Sequence, residues 1–285
     1  MKPARFDYAC PASLDEAVAL LAAHPGEAKP LAGGQSLMPA LNFRLAQPAL
    51  LVDLRKVPGL DRIAVGADGV RLGARVRWCD IERDGRLAAA HPLLKEAVTH
   101  IAHYQIRNRG TVGGSLAHAD PAAELPGIAV ACDATIRVTG KAGARGIAAA
   151  RFFTGALATA LQPDEIITEL HLPAWPAGRR WGFEEFALRR GDFALAGVAA
   201  FYDPAGGRAA NTHIGVIGAS SHAHRIAAAE AALDGKTPDE AAILAAARAA
   251  AAAVDPPSDL HADAEYRRAL VEVLVERALK RAAAQ

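Results

Sequence analysis

The sequence predicts an α+β protein, because strands and helices both occur but do not alternate as regular βαβ units. Strand-like runs bounded by Pro and Gly crowd the N-terminal two thirds, with helical stretches set among them. The last third puts two strand-like runs ahead of two alanine-rich helical segments. At 285 residues the chain exceeds the roughly 100–200 of one usual domain. A division near Trp175 is therefore expected, into residues 1–175 and 176–285, with Trp175 to Arg180 (WPAGRR) as a Pro/Gly and charged connector.

Each element follows from a local pattern. Ser13-Leu14-Asp15-Glu16 has capping-box spacing ahead of a helical run to Ala23. KPLAGG, Lys29 to Gly34, reads as a short strand entering a loop, and SLMPALNFRL, from Ser36, can run on as a helix. Ala49 to Leu54 is a buried-strand candidate between Pro48 and Pro58. RIAVGADGVRLGARV alternates apolar and polar residues around Asp68-Gly69, a hairpin signal. HPLLKEAVTHIAHY, His91 to Tyr104, has helical periodicity, and CDATIRVTG and Asp164 to Pro173 read as strands. FALAGVAAFYD and THIGVIGAS are strand-like around the turn PAGGR, and helices are expected over Pro238 to Val254 and Ala262 to Ala284. Their alanine content is explained by helix propensity alone.

Composition narrows the function. With 52% hydrophobic and 22% charged residues the chain reads as soluble and globular. A net charge of +1 gives no electrostatic footprint for nucleic acid. The first residues, MKPARFDYAC, lack a signal-peptide apolar run, and no stretch of about 18 uncharged apolar residues offers a membrane span. Cys10, Cys79 and Cys132 are too few and too scattered for zinc or an iron–sulfur cluster, and idle thiols fit a cytoplasmic protein.

Two glycine motifs carry the chemistry. LAGGQSL, Leu31 to Leu37, and TVGGSLAHAD, Thr111 to Asp120, each join a Gly-Gly pair to hydroxyl or amide side chains. Without a Cβ, successive amides can converge into an anion-binding nest, and a following helix adds its dipole. One such pair alone is commonly just a turn; two could hold the phosphates of one dinucleotide. Neither motif contains Gly-x-Gly-x-x-Gly or Gly-Lys-Ser/Thr, which disfavours the standard Rossmann and P-loop readings there. His100, His103, His118 and Asp120 lack a recognised metal pattern, as do His222 and His224, so no metal site is expected. No Gly-x-Ser-x-Gly elbow or other nucleophile–base arrangement stands out, so hydrolysis is disfavoured and no catalytic residue is assigned.

KPLAGGQSLMPALNFRL and IRNRGTVGGSLAHADPAAELP together resemble the FAD-binding medium subunit of the molybdenum hydroxylases, the xanthine dehydrogenase and carbon monoxide dehydrogenase family. DEIITELHLP and RRGDFALAGVAA are similar in the same order, so the resemblance spans nearly the whole chain. It implies a two-subdomain FAD-binding fold of the vanillyl-alcohol-oxidase (PCMH) type, followed by a smaller α+β C-terminal domain. By the same resemblance Leu31, Ala32, Gly33, Gly34, Gln35 and Ser36, with Thr111, Val112, Gly113, Gly114 and Ser115, hold the FAD pyrophosphate and adjoining parts. Glu124 takes the position of an acidic side chain on ribose or ribityl hydroxyls. Ile101 and Ile167 match apolar positions lining the cofactor, Lys29 can reach a phosphate, and Phe193 is the aromatic candidate for covering the isoalloxazine. The lysine of xanthine dehydrogenase has no clear match in Glu185 to Arg190.

The implied role is electron transfer within an oxidoreductase. Substrate would be oxidised at a molybdopterin-bound molybdenum on a large partner subunit. Electrons would pass through [2Fe-2S] clusters of a small partner to FAD in this chain, and on to an external acceptor. The implied assembly is a dimer of heterotrimers. The alternatives are a self-contained FAD-dependent oxidoreductase acting directly on a small molecule, and a scaffold subunit that has lost FAD. The first lacks a candidate acid–base residue over the flavin, and the intact glycine loops disfavour the second.

Overall fold

The Ser13 hydroxyl accepts the Glu16 N–H at 3.2 Å, and helix Leu14–Ala23 follows from that cap. The Glu16 carboxylate reaches back to the Ala12 N–H at 2.8 Å, one residue earlier than a standard capping box. This helix shares an apolar core with a three-stranded parallel sheet ordered Asp7–Ala9, Leu50–Asp53, Ala28–Leu31. The central strand is buried along its length, as a run of LLVD with no polar alternation requires. The computed structural model describes residues 2–285.

A second sheet has five antiparallel strands in the order Ile63–Gly66, Gly69–Gly73, Ile166–Pro173, Thr135–Gly140, Gly143–Ala148. Its first hairpin turns through Ala67 and Asp68, with Gly66 paired to Gly69. Gly69 has φ +125°, and a Cβ there would run into the Leu172 carbonyl of the neighbouring strand. Helices Pro92–Val98, Val112–His118 and Glu124–Ala131 share one large core with this sheet, through Leu72, Ile136 and Leu170.

The third sheet is antiparallel: Arg180–Phe186, Ala196–Ala205, Arg208–Ile217, His224–Arg225. One of its faces, with Val198, Ala200, Ile214 and Val216, is covered by helices Ala227–Leu233, Glu240–Ala253 and Ala264–Ala283. Phe183, Ala199, Phe201 and Ile217 instead join the large core of the second sheet. Contact there is close enough that glycine is required. A Cβ on Gly127 would lie 2.6 Å from Ile217 Cγ2, and one on Gly215 would lie 2.9 Å from the Ala131 Cβ.

Four local expectations change. The helix after the first loop covers only Leu37–Asn42, because Arg44 turns left-handed at φ 58°. The helix from Pro92 stops at Val98, ahead of a left-handed Ala102 at φ 45°. The second glycine motif is itself helical, Val112–His118. Arg180–Phe186 is a strand that the sequence pattern did not signal; its Gly182 packs directly on the Ala278 carbonyl. Among the described residues, no helix is long and apolar enough to cross a membrane.

Candidate functional site

The two glycine motifs behave differently. In the second, Thr111 caps the helix: its hydroxyl oxygen accepts the Gly114 N–H at 3.2 Å. The Val112 N–H donates to the Val76 carbonyl at 2.9 Å, and the Gly113 N–H to Ala74 at 2.7 Å. Ser115 N–H donates to the Thr111 carbonyl. These amides are all engaged, so this motif is not the open nest that the glycine pair suggested. Its glycines serve close approach instead: a Cβ on Gly113 would lie 2.6 Å from that of Ala74, and one on Gly114 2.8 Å from Thr111 Oγ1. What this end offers a ligand is the hydroxyls of Thr111 and Ser115.

The first motif is the converse. Among the described residues, the N–H groups of Gly33, Gly34, Gln35, Ser36 and Leu37 donate to no protein acceptor. Gly34 has φ +74°, the left-handed step that turns successive amides inward. The Gln35 side-chain amide donates to the Gly33 carbonyl at 3.2 Å, which braces the loop. Five unengaged donors on a half-exposed loop have the chemistry to receive an anion.

The motifs, some eighty residues apart in sequence, meet through backbone. A Cβ on Gly33 would collide with the Arg109 carbonyl oxygen and sit 3.0 Å from the Gly110 Cα. Gly110 in turn packs on the Trp78 indole, and its carbonyl accepts the Trp78 backbone N–H at 3.3 Å. The open amides and the capped hydroxyls therefore border one region.

The apolar and aromatic candidates lie as follows. Ile101, Val112 and Ile167 are buried in the same core. Arg107 Nη1 donates to the carbonyls of Ile101 and Ala102 at 3.0 and 2.9 Å, and its Nε pairs with Glu82 at 2.9 Å. Phe193 comes from the third sheet's side and is 72% exposed, an unusual state for a phenyl ring. Its turn rests on the Ile101–Ala102 corner: a Cβ on Gly191 would lie 2.8 Å from the Ala102 carbonyl oxygen.

Glu124 opens helix Glu124–Ala131, where a carboxylate suits the helix dipole. Burial nevertheless pushes its pKa up to about 7, the charge of Asp120 adding to the effect. Across the boundary, burial pushes Glu185 up to about 8, and the charge of Glu124 contributes. Glu185 Oε2 is buried and has no hydrogen-bond partner among the described residues. Sequence reasoning left Glu185 unassigned, because the strand carrying it was not recognised. Turn Gly218 holds the two sides together, its N–H donating to the Pro121 carbonyl at 2.8 Å. Such carboxyls suit hydroxyl groups, as acceptors or, when protonated, as donors.

The remaining candidates lie apart. Lys29 is exposed on its strand and makes no ion pair among the described residues. His118 Nε2 is 3.9 Å from Asp120 Oδ2, and the rings of His222 and His224 lie 5.7 Å apart. Among the described residues, no three His, Cys, Asp or Glu side chains are grouped to hold a metal.

Residues 4–175 match the family model described as the FAD binding domain in molybdopterin dehydrogenase, and residues 181–282 match the CO dehydrogenase flavoprotein C-terminal domain. The chain belongs to the FAD-binding medium subunits of the molybdenum hydroxylases. Among relatives of this medium subunit, the nicotine 6-hydroxylase medium subunit of Paenarthrobacter nicotinovorans is 41% identical over 285 residues, covering 100% of both chains. The carbon monoxide dehydrogenase of Hydrogenophaga pseudoflava, in a form lacking the Mo-pyranopterin moiety, is similar at a TM-score of 0.97. That match has 40% identity and covers 100% of this chain and 99% of the other. Quinoline 2-oxidoreductase of Pseudomonas putida 86 gives a TM-score of 0.95 and 38% identity, at the same coverage. This chain is thus an oxidoreductase subunit with the α+β FAD-binding fold and a C-terminal domain. The open amides and hydroxyls bordering the junction of its two motifs fit FAD in kind: donors for phosphates, carboxyls for sugar hydroxyls, apolar walls for a ring system.

Proposed function

We propose that this medium subunit relays electrons between partner subunits and an external acceptor through FAD held where its two glycine motifs meet. The observation carrying this reading is the row of unengaged amides at Gly33 to Leu37, locked by Gly33 against Arg109 and Gly110 beside the hydroxyls of Thr111 and Ser115. Leu31 to Ser36 bind the pyrophosphate through these amides, with Lys29 adding charge. Thr111 and Ser115 donate hydroxyl hydrogens, while buried Val112 and Gly113, with half-buried Gly114, let the helix start approach closely. Glu124 engages sugar or ribityl hydroxyls. Ile101 and Ile167 keep water from the ring, and Phe193 covers it. Bound flavin supplies the redox chemistry, and the protein orients it and sets its electrostatics.

The division of labour follows the relatives. Residues 1–175 form the FAD-binding domain and 176–285 the C-terminal domain. Substrate is oxidised at molybdenum on a large partner, and electrons arrive from [2Fe-2S] clusters on a small one. The complete assembly is a cytoplasmic dimer of heterotrimers. Purification with co-expressed partner chains tests this, read by visible spectrum and metal content. The expected result is flavin absorption from this chain, with iron and molybdenum in the complex. A colourless chain that takes up no added FAD would refute the reading. Flavin reduction by a simple substrate, with this chain alone, would support the self-contained oxidoreductase instead.

A further inference from the structure

Arg107 lies at a crossroads that the proposed cofactor contacts do not explain. Its side chain is 17% exposed, and Nε lies 2.9 Å from the Glu82 carboxylate of helix Trp78–Arg83, a charge pair whose angle leaves the Nε–H itself without a hydrogen-bond acceptor among the described residues. From there Nη1 donates to two successive carbonyls, Ile101 at 3.0 Å and Ala102 at 2.9 Å. Successive carbonyls converge on one donor only where the backbone turns sharply, and Ala102 provides that turn at φ 45°. A non-glycine residue in this left-handed region is strained, so it persists only where its surroundings hold it. Arg107 is the charged group that holds it.

The Ala102 corner is also the seat of the turn from the other side of the molecule. Gly191, at φ +88°, has no Cβ, and any added there would lie 2.8 Å from the Ala102 carbonyl oxygen and 3.3 Å from His103 Nδ1. The turn is closed on itself by the Asp192 N–H donating to the Arg189 carbonyl at 3.0 Å. Two residues beyond Gly191, Phe193 projects its exposed ring. A continuous mechanical path thus runs from Glu82 through Arg107 and the Ala102 carbonyl to Gly191 and Phe193. On its way it fixes Ile101.

We propose that Arg107 is a positioning residue for the ring end of the FAD site, setting the height at which Phe193 lies over the isoalloxazine and the place of Ile101 beside it. It touches no cofactor itself. This inference rests on the FAD reading given above. Loss of the guanidinium lets the Ala102 corner relax, and the Phe193 turn then moves with it.

The test uses the complex with its partner chains and compares Arg107→Met, Arg107→Lys, Gly191→Ala and Phe193→Ala. The readouts are flavin content, FAD dissociation constant, iodide quenching of flavin fluorescence and the visible circular dichroism of the bound flavin. Arg107→Met should weaken FAD about tenfold, the scale of one charge-assisted hydrogen bond. It should also raise iodide access towards the Phe193→Ala value. Gly191→Ala, which pushes on the same corner from the opposite side, should give the same spectroscopic signature. Arg107→Lys, which keeps the charge but can satisfy only part of the fork, should fall between Arg107→Met and the unaltered protein. Because Arg107 acts through Phe193, the Arg107→Met/Phe193→Ala pair should add almost nothing to Phe193→Ala in quenching. Variants that lose only thermal stability, with iodide access and circular dichroism unchanged, overturn the proposal, as does full additivity of the pair. Valine at Gly34 separates failure of this inference from failure of the underlying reading. If Gly34→Val retains FAD normally, the loop assignment itself is wrong. If it loses FAD while Arg107→Met and Gly191→Ala leave the flavin signals untouched, only the positioning role fails.

Discussion

Replacing Glu185 by Gln should stabilise the FAD-stripped chain in mild alkali while changing little in acid. Burial, reinforced by the charge of Glu124, raises the Glu185 pKa from 4.5 to about 8, and among the described residues Oε2 has no partner to offset its desolvation. Between these two values the unfolded chain has released the proton that the folded chain still binds. Folding stability must therefore fall as pH rises through this window, and the full loss is reached above the folded value. Every tenfold difference in proton affinity between the folded and unfolded chain corresponds to about 1.36 kcal/mol. Side-chain relaxation and the residual exposure of Glu185 reduce the effect, leaving about 2–4 kcal/mol as the scale. Glutamine has nearly the same shape and never ionises, so it avoids this loss. Urea unfolding of the unaltered chain and Glu185→Gln at about pH 5, 6.5 and 8 measures it. The stability difference should be small at the lowest pH and grow to that scale in favour of Gln at the highest. A difference independent of pH, or a variant less stable at pH 8, would show that Glu185 is ionised or partnered in the folded chain.

Two further predictions concern the junction of the glycine motifs. Gly33→Ala places a Cβ against the Arg109 carbonyl, a backbone atom that cannot rotate away. Overpacking of about 1–3 kcal/mol should weaken FAD roughly 5- to 100-fold, measured by fluorescence titration, whereas unchanged affinity would remove the junction from the site. Hydrogen exchange should distinguish the motifs directly. FAD should slow the amides of Gly33 to Leu37 strongly but alter Val112 and Gly113 little, because the latter are already bonded to Val76 and Ala74. Equal protection of both would contradict the division between open and engaged amides.

Much of the fold was legible because local and tertiary forces agree there. Ser13, the hairpin at Asp68 and the run Leu50 to Asp53 each form what their pattern favours. The last two helices begin at Asp239 and Asp263, whose carboxylates accept the Ala242 and Tyr266 N–H groups. Misreadings occur where a long-range contact outweighs local preference. Glycine disfavours helix, yet Val112–His118 is helical because Thr111 caps it and Ala74 presses on Gly113. ELPGIAVA, for which the sequence pattern offered no reading, contains both Pro126 and Gly127 and forms a helix. Pro126 falls in the first turn, where no N–H is required, and Gly127 makes room for Ile217. The helix after Pro92 ends early at a corner whose tether, Arg107, is remote from the pattern that began it.

The site shows the same balance. The glycine motifs could be found in the sequence, but which of them kept its amides free could not, since Val76 and Ala74 come from outside the motif. Glu185 was hidden because nothing in its own neighbourhood reveals that Glu124 stands nearby.

Ile217 limits how sequences of this kind can recombine. Its Cγ2 fills the space that a side chain at Gly127 would need, and its Cγ1 and Cδ1 do the same at Gly197. Three positions spread over some ninety residues therefore form one lock, with Gly127 before Trp175 and both Gly197 and Ile217 after it. A hybrid that joins the first part of this chain to the last part of a relative should assemble only when the parents agree at that lock. Exchange within either part escapes the restriction only if it leaves Gly127, Gly197 and Ile217 in place. Exchange of partners or acceptors is then easier by replacing the whole subunit than by grafting half of it.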